Sequence, residues 1–435
     1  YPDLYVSNDY TATDYLYFNN GDGTFTDATH ISLGHISQFS MGNELADFNN
    51  DGLIDIYTLD MLPEDNKRQK LLMSPDNYEK HQFMVNVGLH HQYMRNMLHL
   101  NQGNGGFSEI GQISGVSNTD WSWSALFADF DNDGWKDLFV SNGYRKDYTN
   151  LDFLKYMGDY VQNHRGNLKR DNILELVSKI PASDIPNYIF KNNQQGGFQN
   201  VTAAWGLSQS VNSNGAAYAD LDNDGDLELV INNVDVPAFI YKNKSQELEP
   251  KNWLQLELKG EGQNPYGIGT KVYLFEGNNL QMQEQMPTRG YQSSVSYKMH
   301  FGLGTNATLD SIMVIWPGGK SQTVKSPNIN QIISFDQRNS NAVVIHHLAM
   351  DVPTVFRNTG SIGEYVKTSA FNDFKRQALV PNPISGSKLA MANGDLNGDG
   401  LDDIFLGGLA GYASQILFQL KNGEFIKVPI TEIFE

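Results

Sequence analysis

The chain is 435 residues long, about three domains on the usual scale of roughly 150 residues each, and carries 50 acidic residues against 31 Lys and Arg for a net charge of −19. That charge repels a nucleic-acid backbone, and with no cysteine there is no disulfide framework, thiolate metal site or cysteine nucleophile; no apolar run reaches the roughly 18 residues of a membrane span. Forty glycines, 21 tyrosines and 23 phenylalanines, with only 19% charged residues, suit short strands joined by tight turns, so an all-β fold is expected.

In chain order, Tyr1 to Asn8 aligns with Trp135 to Asn142, which makes Asp3 the end of an acidic loop that began upstream and predicts a piece of a longer protein. A Gly-rich hairpin signal follows at Asn20, Gly21, Gly23 and Phe25, and it recurs at Asn104–Phe107, Gly196–Phe198 and Asn422–Phe425. Between these lie four nine-residue loops of one pattern. The first holds Asp47, Asn49, Asp51, Gly52, Leu53 and Asp55; the second Asp129, Asp131, Asp133, Gly134, Trp135 and Asp137. The third holds Asp220, Asp222, Asp224, Gly225, Asp226 and Glu228; the fourth Asp395, Asn397, Asp399, Gly400, Leu401 and Asp403.

The spacing between the two patterns defines a repeat. Phe25 to Asp55, Phe107 to Asp137 and Phe198 to Glu228 each span 30 residues, and Asp403 to Phe425 spans 22. A bare unit of 52 residues accommodates four strands, one propeller blade. Two copies carry insertions of 30 and 39 residues, about 61–94 and 144–186. Phe153, Met157 and Val161, then Ile173, Leu176, Val177 and Ile180, recur at helical spacing, which predicts helices whose stripes pack on the propeller or on each other, with a partner groove as the alternative. Because strands alternate in direction, the acidic loops and hairpins belong at one end of each blade and the insertions at the other.

Between Asn252 and Asp336 the loops vanish and alternating strands appear at Leu254–Leu258, Lys271–Leu274 and Ser311–Trp316, which predicts a separate β-sandwich-like domain over 251–337. The expected organisation is therefore a first propeller over 1–250, this middle domain, and the start of a second propeller over 338–435, where Phe371–Gln377 leads into the fourth loop.

Oxygens at loop positions 1, 3, 5 and 9, a glycine at 6 and a backbone carbonyl at 7 suit a hard cation, calcium above magnesium, zinc or copper. An EF-hand is excluded, because position 12 is Thr58, Val140, Ile231 or Leu406 instead of Glu and strands follow instead of helices. Fourteen carboxylates at ligand positions would repel without a counter-ion, and four Ca²⁺ would bring the net charge from −19 to about −11. Other chemistry has weak support. His90-His91 and His346-His347 lack a third ligand at readable spacing, Gly302-Leu303-Gly304 is better read as a strand end than a dinucleotide loop, and neither a Gly-x-Ser-x-Gly nor a His-Glu-x-x-His motif occurs.

The loops resemble the calcium-binding FG-GAP, or VCBS, repeats of integrin α-type propellers. Gly267–Val272, Arg289–Ser293, His300–Gly304 and Trp316–Gly319 resemble the ASPIC/UnbV domain, which accompanies such repeats in large surface proteins of Bacteroidota-type bacteria. The resemblance implies structural calcium at about four sites and ligand binding at the other face; Glu228 in place of Asp departs from the repeat. It also implies an extracellular or cell-surface scaffold, on a bacterial outer membrane in the first instance, that binds protein or glycan. Calcium affinities of extracellular modules, about 10⁻⁴–10⁻³ M, would leave the loops empty in cytosol. Two alternatives stay open: a polysaccharide-processing enzyme on a calcium propeller, and an accessory subunit of an outer-membrane uptake or secretion complex.

Overall fold

The computed structural model describes residues 2–10, 12–73, 77–183, 185–305, 308–342, 372–377, 380, 390–408 and 413–428. They fall into two compact units, 1–349 and 350–435.

The first unit begins with four antiparallel meanders. Their strands are Leu4–Val6, Tyr15–Asn19 and Phe25–Asp27; Asn43–Ala46, Asp55–Thr58, Met97–Asn101 and Phe107–Glu109; Ser122–Ala128, Asp137–Asn142, Tyr188–Asn192 and Phe198–Asn200; and Ser213–Ala219, Glu228–Asn233 and Phe239–Tyr241. One register recurs: Ala46 pairs with Asp55, Ala128 with Asp137 and Ala219 with Glu228, so each acidic loop is closed by its ninth residue. A one-residue slip would turn every inward side chain outward, so this register is fixed by the buried faces. The sheets stack face to face as blades. Phe48, Tyr57 and Leu98 share a core with Phe127, Leu138 and Tyr188, and Leu126, Phe139 and Ile189 share the next with Leu229 and Ile231. The first strands of the second, third and fourth sheets pack side by side and so are innermost.

The acidic loops join first to second strands and the Gly-Phe hairpins join third to fourth, at one end; both insertions join second to third, at the other. Asn66–Leu72 and Tyr78–Asn86 form the first insertion, with Asp65 and Asn77 capping by accepting from the N–H of Arg68 and Lys80. Leu151–Asn163 and Arg170–Lys179 form the second. Only Phe153 and Leu176 of the expected stripes are buried, while Ile173 and Val177 are each 50% exposed, so the helices pack through only part of their apolar stripes. Arg68 ties the insertions to the third sheet, its guanidinium 2.8 Å from Asp120 and 2.9 Å from Asp147.

The middle of the chain is a sandwich. Met299–Gly304, Asn252–Lys259 and Ile332–Asp336 form one sheet; Asn279–Glu284, Lys271–Glu276, Ser311–Ile315, Lys320–Lys325 and Asn341–Ala342 form the other. Leu254, Leu256, Val272, Phe301, Val314 and Trp316 fill the space between. In the second unit, Met391–Gly394, Asp403–Leu406, Gln415–Gln419 and Phe425–Val428 form one more antiparallel meander, with Gly394 opposite Asp403 in the register of the other repeats.

Candidate metal centres

Each loop is folded by its own acidic residues. Position 1 accepts from the N–H of position 6: Gly52 to Asp47 at 3.0 Å, Gly134 to Asp129 at 2.7 Å, Gly225 to Asp220 at 3.2 Å and Gly400 to Asp395 at 2.9 Å. The N–H of position 7 (Leu53, Trp135, Asp226, Leu401) donates to the carboxylate of Asp51, Asp133, Asp224 or Asp399. Position 9 is bound twice. Asp55, Asp137, Glu228 and Asp403 accept from the N–H of position 2 and from that of a residue at the end of the third strand or, for Asn243, two residues past it: Asn101, Asn192, Asn243 or Gln419. Glu228 thus keeps the bonds of the Asp it replaces. Asp3 accepts likewise from Asn19 at 2.9 Å, the ninth-position contact expected of it. Positions 4 and 6 are both left-handed, φ 58° and 90° at Asn132 and Gly134, for example, which accounts for the Asn or Gly at 4 and the Gly at 6.

The loops differ in how far their carboxylates converge. Ligand oxygens of Asp129, Asp131 and Asp137 lie within 4.8 Å of one another, as do those of Asp220, Asp222 and Glu228, and of Asp224, Asp226 and Glu228. Among the described residues, neither loop 47–55 nor loop 395–403 forms such a trio. There position 3 is Asn, and its amide turns to the position-5 carboxylate, Asn49 to Asp51 at 2.9 Å and Asn397 to Asp399 at 3.0 Å. Burial pushes Asp129 and Asp137 well above the carboxylate range, Asp55 up to about 8 and Asp224 up to about 6. Asp131 Oδ1, Asp220 Oδ1 and Asp226 Oδ1 are buried with no hydrogen-bond partner. Buried carboxylates with unfilled lone pairs are a donor set fitted to a hard cation.

Lysines supply part of the missing charge. Lys191 contacts Asp131 and lies 3.1 Å from Asp133, Lys251 lies 3.2 Å from Asp131, and Lys242 lies 2.8 Å from Asp222. Lys191 and Lys242 occupy the same place, one residue before the Asn whose N–H reaches position 9. Where position 3 is Asn, that place holds Leu100 or Phe418. The lysine therefore offsets the extra carboxylate, although sequence reading passed over it; comparing that column with position 3 across repeats would have found it. Replacing Lys191 by Met leaves Asp131 with Lys251 alone and Asp133 without its lysine, so cation affinity at this loop should rise by about tenfold while the cation-free protein melts lower. Unchanged affinity by isothermal titration would show that the lysine does not compete for the site.

The loops are also laced to one another. Asn50 Nδ2 donates to Gly134 O at 2.9 Å and Asn132 Nδ2 to Gly225 O at 2.7 Å, each position 4 reaching position 6 of the next blade. Asn192 and Asn243 reach back to Phe48 O and Phe130 O, and Lys136 Nζ to Asp47 O at 2.7 Å.

The middle domain covers this end. His300 Nε2 lies 2.6 Å from Asn132 Oδ1; burial drives its pKa down to about 4, so the neutral ring donates from Nε2. Gly302 leaves no room for a side chain, since a Cβ would stand 2.0 Å from Asp129 Oδ2. Its segment 289–293 continues along the innermost strands. Arg289 pairs with buried Glu44, a Cβ on Gly290 would meet Ser124 Oγ at 2.2 Å, and Tyr291 packs on Trp123 with ring centroids 5.0 Å apart. Ser124 lies in a register shift of its strand and Gly215 in the matching one, where a Cβ would meet Ser293 Oγ at 2.6 Å.

At the insertion end a cavity of about 350 Å³ is lined by Arg145, Lys146, Gln209, Asn212 and Asp235 among others. His90 is buried and bonds Leu33 O at 2.9 Å, with burial lowering its pKa, and no histidine joins a three-ligand group among the described residues. His346 and His347 lie outside the described residues. Gly304 ends its strand at φ 58°, as the strand-end reading of that motif expects.

Residues 1–58, 85–140 and 168–231 match the FG-GAP-like repeat family, and residues 260–342 match the ASPIC and UnbV family. Apart from residues 141–142, which end the strand Asp137–Asn142, the unmatched stretches 59–84 and 141–167 fall between second and third strands, where the insertions lie. The chain is similar to cartilage acidic protein 1 of Homo sapiens and of Mus musculus, 24% identical over 343 residues, and to that of Xenopus tropicalis, 25% identical over 343 residues. Each alignment covers 77% of this chain and 42% of the relative, so the chain spans less than half the length of these proteins.

Proposed function

We propose, from the premise that this chain joins FG-GAP-like repeats to an ASPIC and UnbV domain, that it is an extracellular calcium-stabilised scaffold whose insertion-bearing end binds protein or glycan at a cell surface. Ca²⁺ is the cation the loops take, held by side chains at positions 1, 3, 5 and 9 and the carbonyl at 7, and its role is to neutralise buried carboxylates and fix the loops. The observation that carries the binding reading is the seat of the middle domain: strands Asn279–Glu284 and Met299–Gly304 lie on the acidic loops, while among the described residues of the first unit the insertion end carries the cavity beside Arg145 and two largely exposed helices. The meander at 391–428 repeats the loop geometry and is read as the start of a second propeller within 338–435. An outer-membrane surface in a bacterium is the finer localisation, supported by the resemblance alone.

The test replaces residues 151–179 by a short Gly/Ser linker. Most of this segment is exposed, only Phe153 and Leu176 being buried, and changing loop length costs little closure entropy, so the calcium response of melting should persist. Binding in a glycan array, or to partners retained from native membranes, should fall at least tenfold. Wild-type binding by this variant would move the function elsewhere in the chain, and release of reducing ends from a bound glycan would make the protein a polysaccharide-processing enzyme.

A further inference from the structure

Strand Asn252–Lys259 turns Leu254, Leu256 and Leu258 into the core of the middle domain and Trp253 and Gln255 toward loop 220–228. Trp253 closes on the loop so tightly that a Cβ on Gly225 would lie 2.0 Å from its Nε1. Gln255 is 1% exposed, and its Nε2 donates to Asp220 Oδ2 at 2.6 Å. The other end of this amide, Oε1, is buried without a partner, as are Asp220 Oδ1 and Asp226 Oδ1.

Three buried acceptors with nothing to accept therefore surround one loop, and a further protein donor would satisfy one of them. A cation seated with Asp220 satisfies the Asp220 and Gln255 acceptors together, Asp226 belonging to the separate trio with Asp224 and Glu228, and a glutamine carbonyl is among the oxygens that hard cations take. The two ends of a primary amide interchange by a half-turn about its terminal torsion. With no cation the nitrogen faces Asp220; with one held by Asp220, Asp222 and Glu228 the oxygen can face it.

We infer that Gln255 is a cation ligand at the fourth blade, supplied by the middle domain, so that docking of this domain completes the metal site. The other two loops of the unit meet the middle domain differently: Gly52 meets the Leu280 side chain, Asp129 meets Gly302, and the Gln281 amide beside Gly134 donates to Gly302 O at 2.8 Å and not to a loop carboxylate. The inference rests on the calcium reading and adds a consequence to it, since a ligand shared between two domains makes calcium binding and docking strengthen each other by the same factor.

Titration of the full chain with Ca²⁺, followed by calorimetry and by Tb³⁺ luminescence, tests it with two variants. Gln255→Leu keeps the bulk and removes both amide functions; one class of site should weaken about tenfold and the others stay unchanged. Gln255→Glu restores a ligand oxygen and removes the donor. It should melt below the parent without calcium, where a new carboxylate faces Asp220, and bind calcium at least as tightly as the parent at that site. Parental affinity in Gln255→Leu overturns the inference, and so does a Gln255→Glu chain that stays weakened at saturating calcium, because the amide is then only a donor to Asp220. A parent chain that binds no calcium at all overturns the calcium reading itself.

Discussion

Removing calcium should lower the melting temperature of the first unit by roughly 10 °C. Three of its loops take the ion in our reading, and a site filled to between 10 and 100 times its Kd contributes about 1.4–2.7 kcal/mol, so the three together contribute about 4–8 kcal/mol. The carboxylates left behind are costly: Asp129 and Asp137 are buried and face other acidic groups of the same loop. Because Asn50, Asn132, Asn192, Asn243 and Lys136 bond each loop to its neighbour, the loss should come as one cooperative transition and not as three separate ones. Millimolar Ca²⁺ should restore the parental curve and Mg²⁺ should not, being too small and too reluctant to dehydrate for so many protein oxygens. A melting curve unmoved by verified chelation would refute the assignment.

The second large effect should come from Arg289→Ala. Glu44 on the second blade is 2% exposed, and besides Arg289 it is held by the backbone N–H groups of Phe127 and Gly290, so three parts of the structure meet at one carboxylate. Removing one partner of a buried pair costs about 3–5 kcal/mol because the other charge stays buried. Burial already raises the Glu44 pKa against the opposing pull of Arg289, and without the arginine it should rise further. A carboxyl whose folded pKa lies above its unfolded value favours folding below the unfolded pKa and loses that contribution as pH rises through the folded one. The deficit of the variant should therefore be smallest near pH 4 and widen toward pH 8 in denaturant titrations. A deficit independent of pH would mean that lost packing, and not the stranded carboxylate, sets the cost. The same variant should expose the 244–251 link to protease if the middle domain lifts from the blades.

The repeat itself is legible in the sequence because its signals are local. A nine-residue loop closed by its own side chains, and a hairpin 30 residues earlier, need nothing distant to specify them, so loops, hairpins and insertions fall where spacing puts them. The convergence of carboxylates is only half legible: position 3 is read from the sequence as an oxygen ligand whether Asp or Asn, whereas Asn49 and Asn397 spend their amides on Asp51 and Asp399. The seat of the middle domain is not legible at all. Alternation along 252–259 marks Gln255 as facing away from its own core, and that pattern is the same whether the far side meets water or an acidic loop 35 residues back. Gly302 is similarly ambiguous, since the sequence reports a missing side chain but not Asp129, whose carboxylate takes its place.

The joint between acidic loops bears on how such a protein is assembled over evolutionary time. Each loop of the first unit has an Asn at its fourth residue and a glycine at its sixth, and Asn132 and Gly134 show both halves of the joint, the outgoing amide and the receiving carbonyl, in a single loop. A duplicated copy therefore arrives already able to grip the copies on either side, with no compensating change in them. The series is brought to a stop by different chemistry: in the fourth blade the outgoing residue, Asn223, meets Lys298 of the middle domain at 3.4 Å instead of another loop. A new blade spliced in ahead of Asn212 would inherit a fitting neighbour, whereas one spliced in after Asn243 would have to displace the domain that now holds that end.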